Sequence, residues 1–358
     1  MTPSAADPVS PMLAKAVTAV PAPEAVEGGF AYEPKWDGFR GVVYFDGESI
    51  EIGSRGSKPL TRYFPELTEA LAAVLPGPCV LDGEIVVPTG QAGAERLDWE
   101  ALSQRIHPAA SRVRTLAAET PALFVAFDLL AEGERSLLDE PFSERRAALE
   151  RLVGGIAESG TAGAPSLKLS RTTRDVELAR RWLVEFEGAG LDGVVAKPLA
   201  APYAPGKRVL QKIKHKRTAD VVVTGYRVHK SGTGVGSLLL GLYGDDDQLH
   251  GVGGASAFTD VRRRELIDEL EPFVQRDADG EPVRGEGERN RFSSNKDVSF
   301  VPLEPRLVVE VRYDQMEGDR FRHTVQVERW RIDREPESCR FDQLEQPAGY
   351  DLADVLGS

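Results

Sequence analysis

A lysine near the amino end of the chain has neighbours that could support covalent chemistry. Lys35 lies two residues before Asp37-Gly38, and Arg40 and the apolar run 41–45 follow. Protonation occupies the lone pair of a lysine at its ordinary pKa of about 10.4, so a nucleophilic lysine needs burial or nearby cations that favour the neutral amine. The Asp-Gly pair can form a tight turn that lets the backbone approach a ligand closely. A surface turn after a strand is the alternative for this segment taken alone.

Two later segments again place acidic residues and a glycine beside strand-like sequence. Asp82 and Glu84 flank Gly83 at the start of the run 81–87, and Asp192-Gly193 precedes the apolar run that ends in Lys197. Asp-Gly is also a common β-turn signal, so an ordinary turn is the alternative at residues 82–83. Lys197 would lie on the strand that emerges from the second segment.

A basic cluster follows in an acidic chain. Six of the eleven residues 207–217 are Lys or Arg. Lys212 and Lys214 alternate with their neighbours, so both side chains should share one face of a strand. Lysines that converge on one face repel each other unless an anion joins them, which favours a phosphate site. A solvated charged linker is the alternative for the cluster as a whole.

Composition sets the class of protein. A chain of 358 residues exceeds a typical single domain, and 41% hydrophobic with 28% charged residues is ordinary for a soluble globular protein. We expect no signal peptide and no membrane association, because no apolar run approaches the roughly 18 residues that span a bilayer. Cys79 and Cys339 lack metal-ligand spacing and indicate a reducing cytosol, and no His-x-x-x-His pair occurs.

The charge is unevenly distributed. Residues 1–217 hold 26 Lys and Arg against 29 Asp and Glu, a net charge of −3, and residues 218–358 hold 18 against 28, a net charge of −10. A nucleic acid could therefore bind only through a local basic groove and not through the overall field.

The pattern of elements divides the chain at the same place. Residues 24–217 alternate strand-like runs (41–45, 79–87, 123–130 and 191–197) with helical stretches (140–152 and 173–187), which predicts an α+β domain over residues 1–217. Residues 218–340 contain short apolar strands (221–226, 237–243, 307–313 and 321–330) and one helix over 260–274, typical of a small OB-type barrel. We expect a mobile polar loop at 275–299 and a loosely ordered acidic tail at 341–358.

In this order, the motifs resemble those of the covalent nucleotidyltransferases: ATP-dependent DNA ligases, RNA ligases and mRNA-capping enzymes. The resemblance extends from residues 11–14 to residues 331–334 and is strongest, at 192–197, 203–208 and 212–214, to bacterial DNA ligases of the short actinobacterial LigC type. It implies an α+β nucleotidyltransferase (adenylation) domain with antiparallel sheets, followed by an all-β OB-fold domain. It also implies an ATP-dependent DNA ligase that seals nicks through a lysyl-AMP intermediate, in DNA repair.

The resemblance also implies roles for single residues. Lys35 would attack the α-phosphate of ATP and carry AMP, and Asp37 belongs to the same catalytic motif. Glu33 would accept a hydrogen bond from the adenine amino group and Phe127 would stack on the base. Asp192, together with Glu84, would hold Mg²⁺ or Mn²⁺, although the family usually has Glu where this chain has Asp192. Glu84 would reach the ribose hydroxyls or the metal, and Asp82 would shape the site. Arg55 would contact ribose and the 5′-phosphate of the nick, and Arg40 would contact the nick as well. The α-phosphate, and later the DNA phosphate, would be bound by Lys197, Lys212 and Lys214.

The last motif lies in the second domain. Arg331 and Asp333 would orient the departing pyrophosphate when that domain swings over ATP. The motif ends in Arg334 where the family has Lys. The hinge for this movement is expected near Arg217–Asp220. A solvated strand end with a local ion pair is the alternative. Leu210 also replaces a familiar Trp, which should affect packing more than chemistry.

The expected partner is nicked double-stranded DNA, bound weakly and with strong salt dependence because the second domain is so acidic. We further expect a monomer in the cytoplasm, associated with the nucleoid, that relies on Ku or a repair polymerase. The loop 275–299 would contact DNA through Arg284, Arg289, Arg291 and Lys296. An RNA-directed nucleotidyltransferase (an RNA ligase) and a non-catalytic repair scaffold are the two alternatives.

Overall fold

The chain forms two compact units. The computed structural model describes residues 2–56, 58–159, 164–215, 217–287, 298–344 and 349–356. The first unit comprises Met1–His215 and Pro347–Ser358, and the second unit comprises Lys216–Gln346. In the described ranges, every helix is too short or too polar to cross a lipid bilayer.

Short elements build the first unit. Its strands are β1 (Leu13–Ala16), β2 (Phe30–Pro34), β3 (Phe39–Phe45), β4 (Ile50–Ser54), β5 (Cys79–Val86), β6 (Pro88–Thr89), β7 (Arg96–Leu97), β8 (Leu123–Glu132), β9 (Arg135–Ser136), β10 (Leu167–Leu169), β11 (Val194–Pro198) and β12 (Arg208–Ile213). Its helices are α1 (Pro65–Val74), α2 (Trp99–Gln104), α3 (Ala110–Glu119), α4 (Phe142–Ser159), α5 (Val176–Glu185) and, after the second unit in the chain, α7 (Leu352–Leu356).

Two main sheets organise these strands. The smaller sheet has the order β1-β12-β11-β2, and the larger has the order β10-β8-β5-β3-β4 with β9 paired to β8. Neighbouring strands run antiparallel, as predicted, apart from the parallel pairs β1 with β12 and β10 with β8. The sheets bring together strands that are far apart in the sequence, and these strands carry the charged motifs.

Helices α1 and α4 pack against the larger sheet. Leu67 and Leu71 of α1 and Leu149 and Leu152 of α4 belong to one buried cluster with Phe124 of β8. The spacing of three and four residues places each pair on one helix face. The predicted helix over 140–152 is confirmed and continues to residue 159.

The residues after the second unit do not behave as the loosely ordered tail that the acidic composition predicts. Leu352 and Val355 are fully buried in a cluster with Phe186. The N–H of Leu352 donates to the carbonyl of Glu95 over 2.8 Å, and the rings of Tyr350 and Phe186 lie 5.2 Å apart. Apolar residues three apart give this short segment a buried face despite its acidic neighbours.

The second unit is rich in strands. They are β13 (Arg217–Val228), β14 (Val235–Tyr243), β15 (Leu249–Ala255), β16 (Gly285–Glu286), β17 (Ser299–Pro302), β18 (Val308–Tyr313), β19 (Met316–Glu317), β20 (Arg320–Phe321) and β21 (Gln326–Trp330). Strand β13 pairs with β18 through its first half and with β14 and β17 through its second half, and a register shift lies between Val223 and Gly225. One long strand shared in this way is typical of the predicted OB-type barrel. The helix α6 (Asp260–Leu270) begins where predicted and ends sooner.

The structure bears on two expectations for this unit. Arg217–Asp220, near which a hinge is predicted, begin β13 and pair with β18, and the boundary between the two units lies just before them, between residues 215 and 216. The described part of the predicted mobile loop forms backbone hydrogen bonds with the rest of the unit. Strand β16 pairs with β17, and the N–H of Gln275 donates to the carbonyl of Pro302 over 3.0 Å. Arg284 lies in this part, whereas Arg289, Arg291 and Lys296 lie outside the described residues.

Candidate active site

Backbone pairing holds Lys35 beside Asp192. The N–H of Lys35 donates to the carbonyl of Gly193 over 2.8 Å, and the N–H of Asp192 donates to the carbonyl of Lys35 over 3.0 Å. These bonds continue the pairing of β2 with β11 beyond Pro34. The Lys35 ammonium donates to Asp192 Oδ2, which also lies 3.0 Å from Lys214 Nζ. One buried carboxylate thus orients two of the predicted lysines.

The glycines of two Asp-Gly pairs are required by close approach between strands. Gly193 has a φ of +138°, and a Cβ there would lie 2.0 Å from the carbonyl oxygen of Ile213. A Cβ on Gly38 would lie 2.1 Å from the carbonyl oxygen of Ile85. No larger residue fits at either position without a shift of the neighbouring backbone. At both positions the close approach is therefore between the glycine and a neighbouring strand of the protein.

Lys35 opens into a cavity of about 300 Å³. Eight residues predicted from the sequence line it: Glu33, Lys35, Arg40, Arg55, Glu84, Phe127, Lys197 and Lys212. Trp36, Val195, Arg208 and Leu210 complete much of the remaining wall. The cavity has the size of a small-ligand site, and it combines apolar surface with converging charges.

Glu33 and Lys197 form a buried ion pair at one end of the cavity. Lys197 Nζ lies 2.9 Å from Glu33 Oε2 and 4.3 Å from the centre of the Phe127 ring. Burial raises the pKa of Glu33 and lowers the pKa of Lys197, and the charge of each partner opposes the shift of the other. Lys197 therefore contacts the predicted base-binding residues, although the resemblance assigns it to the phosphate.

Arg40 is fixed against a fully buried carboxylate. Its Nε and Nη2 atoms donate to Asp82 over 2.5 and 2.6 Å, and the Tyr203 hydroxyl donates to the same carboxylate over 2.6 Å. The Arg40 guanidinium also lies 4.4 Å from the centre of the Phe127 ring. Asp82 thus shapes the site, as predicted, by holding Arg40 over the aromatic ring.

Burial disfavours the charged forms of both Glu84 and Lys212. Burial raises the pKa of Glu84 to about 7, although the nearby cations Arg40 and Lys35 oppose the shift. Burial, then the ammonium groups of Lys35 and Lys214, lower the pKa of Lys212. An anion bound beside Lys212 and a cation bound beside Glu84 would each stabilise the charged form of the neighbouring side chain.

Not all predicted site residues line the cavity. Asp37 lies half-buried between β2 and β3, outside the cavity wall. Arg331 and Asp333 belong to the second unit, where two hydrogen bonds of 2.8 Å join them and hold the pKa of Asp333 well below its ordinary range. Arg331 also donates to Asp220 over 2.9 Å, and Arg334 Nε lies 3.4 Å from the same carboxylate. The local ion pair considered for this motif is therefore present.

Sequence reasoning missed three residues that support the site. They are Tyr203, Arg145 and Arg146. Arg145 is fully buried and donates to both oxygens of Asp128 over 2.8 and 2.9 Å. A signal existed, because Arg145 lies four and seven residues before the core residues Leu149 and Leu152 and so shares their helix face.

The predicted metal ligands fit a hard divalent cation. In the part of the chain that the structure describes, no three His, Cys, Asp or Glu side chains converge on one metal position. Glu84 and Asp192 nevertheless offer the carboxylate oxygens that Mg²⁺ and Mn²⁺ prefer, and Mg²⁺ usually combines one or two carboxylates with water and substrate phosphates. Burial raises the pKa of Glu84 even beside Arg40 and Lys35, and a bound cation would further favour its carboxylate form.

Comparison with known proteins identifies the family. The model described as the ATP dependent DNA ligase domain matches residues 11–216, and the model of the ATP dependent DNA ligase C terminal region matches residues 231–334. The chain belongs to the ATP-dependent DNA ligases. This ligase is 54% identical to DNA ligase C of Mycobacterium tuberculosis, over 98% of this chain and 97% of that protein. DNA ligase C1 of Mycolicibacterium smegmatis is also 54% identical, over 98% and 97%.

Two further similarities extend the comparison. This ligase is 32% identical to the multifunctional non-homologous end joining protein LigD of Mycolicibacterium smegmatis, over 81% of this chain but only 34% of that protein. A solved Lig E DNA ligase superimposes with a TM-score of 0.55 at 16% identity and covers 89% of this chain and 99% of the Lig E chain, which supports the fold alone. The predicted resemblance, the adenylation and OB-fold architecture and the assignment as an ATP-dependent DNA ligase are confirmed.

Proposed function

We propose that this ligase seals nicks between a 5′-phosphate and a 3′-hydroxyl with Lys35 as the AMP carrier. The observation that carries the proposal is the convergence of Lys35 and seven other predicted nucleotide-binding residues on one cavity of about 300 Å³. Lys212 and Arg55 line the same cavity, so the cations needed by a triphosphate lie near the nucleophile.

The first step transfers AMP from ATP to the protein. Asp192 accepts a hydrogen bond from Lys35 and orients Nζ towards the α-phosphate. The Lys35 ammonium first gives up a proton to solvent, which frees its lone pair. The Nζ–P bond then forms as the bond from the α-phosphorus to the pyrophosphate oxygen breaks and pyrophosphate departs, and Nζ passes a second proton to the Asp192 carboxylate that it contacts. Lys212 stabilises the negative charge on the phosphoryl oxygens. Glu33 and Phe127 bind adenine, and Lys197 holds Glu33 in place.

The next two steps use the same cations on DNA. The 5′-phosphate of the nick displaces Lys35 from AMP, and the 3′-hydroxyl then displaces AMP to form the phosphodiester bond. Arg40, fixed by Asp82, and Arg55 contact the 5′-phosphate. We assign Glu84 and Asp192 as ligands of Mg²⁺ or Mn²⁺, which would neutralise charge on the phosphates when bound.

We also propose a role in DNA repair. The LigD relative is named for non-homologous end joining, which supports a setting at broken DNA ends. A net charge of −10 on residues 218–358 supports weak nick binding, and hence reliance on a partner at the DNA end such as Ku or a repair polymerase. We propose a monomer that acts in the cytoplasm on the nucleoid.

Intact mass spectrometry tests the carrier residue. The purified protein should gain the mass of one AMP with ATP and Mg²⁺, and Lys35→Ala should not. Lys58→Ala, which removes an exposed lysine, is the matched control and should gain AMP as wild type does. The adduct should disappear when nicked duplex DNA is added, in proportion to the sealed product.

Two outcomes would favour the alternatives. An AMP adduct that persists with nicked DNA but is consumed by nicked RNA would make this an RNA-directed enzyme. The absence of an adduct with either metal, in a protein that still binds nicked DNA, would support a non-catalytic scaffold.

A further inference from the structure

Two buried polar atoms lie close together beside the cavity, one on Glu33, which lines the cavity, and one on its neighbour Arg146. Glu33 Oε1 and Arg146 Nη1 lie 3.8 Å apart, and neither has a hydrogen-bond partner among the residues that the structure describes. Their side chains are only 2% and 9% exposed. A separation of 3.8 Å is too long for a hydrogen bond between them, so one acceptor and one donor stay unused. Buried groups of this kind normally have partners, and a base bound beside them would supply both.

The other charges around Glu33 do not satisfy these atoms. Lys197 and the Ser170 hydroxyl contact Glu33 through Oε2, at 2.9 and 3.4 Å. Asp128, the other acid near this pair, is bound by Arg145. Arg146 uses Nε to donate to Glu150 over 2.7 Å, which leaves Nη1 3.8 Å from Glu33 Oε1. The unused acceptor and donor therefore lie side by side.

The two residues that follow Glu33 offer a base no free backbone donor. Pro34 has no N–H, and the N–H of Lys35 is bound to the carbonyl of Gly193. The Watson–Crick edge of adenine presents a donor, the 6-amino group, directly beside an acceptor, N1. An acceptor and a donor on the protein, in the same order, match this edge.

We propose that Arg146 is a base-reading residue, with Nη1 donating a hydrogen bond to N1 of adenine while Glu33 Oε1 accepts one from the 6-amino group. This assignment rests on the proposed role of the cavity in binding ATP. Guanine presents a carbonyl oxygen and an N–H at these two positions, so it would place acceptor against acceptor and donor against donor. Buried groups left unpaired in this way are the basis of strong substrate discrimination.

The experiment compares ATP with 1-deaza-ATP, in which a C–H replaces N1. The measured quantity is kcat/KM for formation of the AMP adduct. Wild type should prefer ATP by about tenfold or more, and Arg146→Met should lower the value for ATP to near that for 1-deaza-ATP. Arg151→Met, which removes an exposed arginine from the same helix, should keep the wild-type preference. Purine riboside triphosphate, which lacks the 6-amino group, should remain a poor substrate of both variants.

Several results would overturn the assignment. Wild type that uses ATP and 1-deaza-ATP equally would exclude a contact to N1, whatever the variants do. If Arg146→Met lowered kcat/KM for ATP and for 1-deaza-ATP by the same factor, Arg146 would affect the reaction only through its influence on the charge of Glu33. Arg146→Lys retains a donor and a charge, and its preference for ATP can be measured if the Met variant does not fold. The proposed function itself would fail separately, through the absence of any adduct with ATP in wild type.

Discussion

Glu84 should make the first unit less stable as the pH rises. Its pKa increases from an ordinary value of 4.5 to about 7 in the folded protein, mainly because of burial. Between these values the folded protein keeps a proton that the unfolded chain has lost, so the free energy of unfolding falls as pH rises through this window. Above about pH 7 the loss is complete.

The size of the effect follows from the shift. A change from 4.5 to about 7 corresponds to at most about 3 kcal/mol, and access to water through the cavity should reduce this to about 1–3 kcal/mol. Glu84→Gln removes the titrating group and should therefore gain this amount at about pH 8 relative to wild type, and gain little at about pH 5. A bound metal would mask the effect, so protein free of metal and nucleotide is required.

Urea unfolding followed by tryptophan fluorescence measures the difference. Trp36, Trp99 and Trp182 lie in the first unit, so its transition dominates the signal. Glu51→Gln, at an exposed position on β4, is the matched control and should follow wild type. Parallel pH dependences of wild type and Glu84→Gln would refute the reasoning, because they would show that Glu84 titrates alike in the folded and unfolded states.

Three further outcomes are expected. Arg145→Met should lower the free energy of unfolding of the first unit by about 3–5 kcal/mol in urea titrations, because Asp128 is left buried without its partner. The double variant Arg145→Met/Asp128→Leu, which removes both charges, should lose less of this free energy. Equal losses in the single and the double variant would contradict the reasoning. Leu352→Ala should destabilise the first unit by about 2–5 kcal/mol, measured in the same way, and an unchanged unfolding midpoint would show that α7 contributes little. Binding to nicked duplex in a mobility-shift assay should weaken steeply with added salt, and tight binding at physiological salt would exclude the predicted weak interaction.

The sequence predicted the local elements of the site better than its internal contacts. The run that follows Lys35 and the segments that contain Glu84 and Lys212 were correctly predicted as strands, because their apolar residues are local signals. The contact of Lys35 with Asp192 depends on the pairing of β2 with β11, which joins residues more than 150 positions apart. No local pattern specifies such a pairing.

The remaining differences have identifiable causes. Lys197 was assigned to the phosphate from the resemblance, but its burial beside Glu33 depends on tertiary contacts that the motif does not contain. Arg145 and Arg146 are adjacent cations on a helix, and such residues usually face solvent. The acidic composition after residue 341 concealed Leu352 and Val355, whose spacing is a helical signal too short to stand out.

The position of α7 has a consequence for the order of synthesis. Residues 349–356 are made only after the whole second unit, yet they fill a buried site formed by Phe186 and its neighbours. The bond from the N–H of Glu95 to the Asp351 carboxylate spans 256 positions of the chain. Until residues 349–356 have left the ribosome, the first unit therefore lacks part of this buried cluster, even though residues 1–215 have already been made. Completion of the core of the first unit therefore follows synthesis of the second unit.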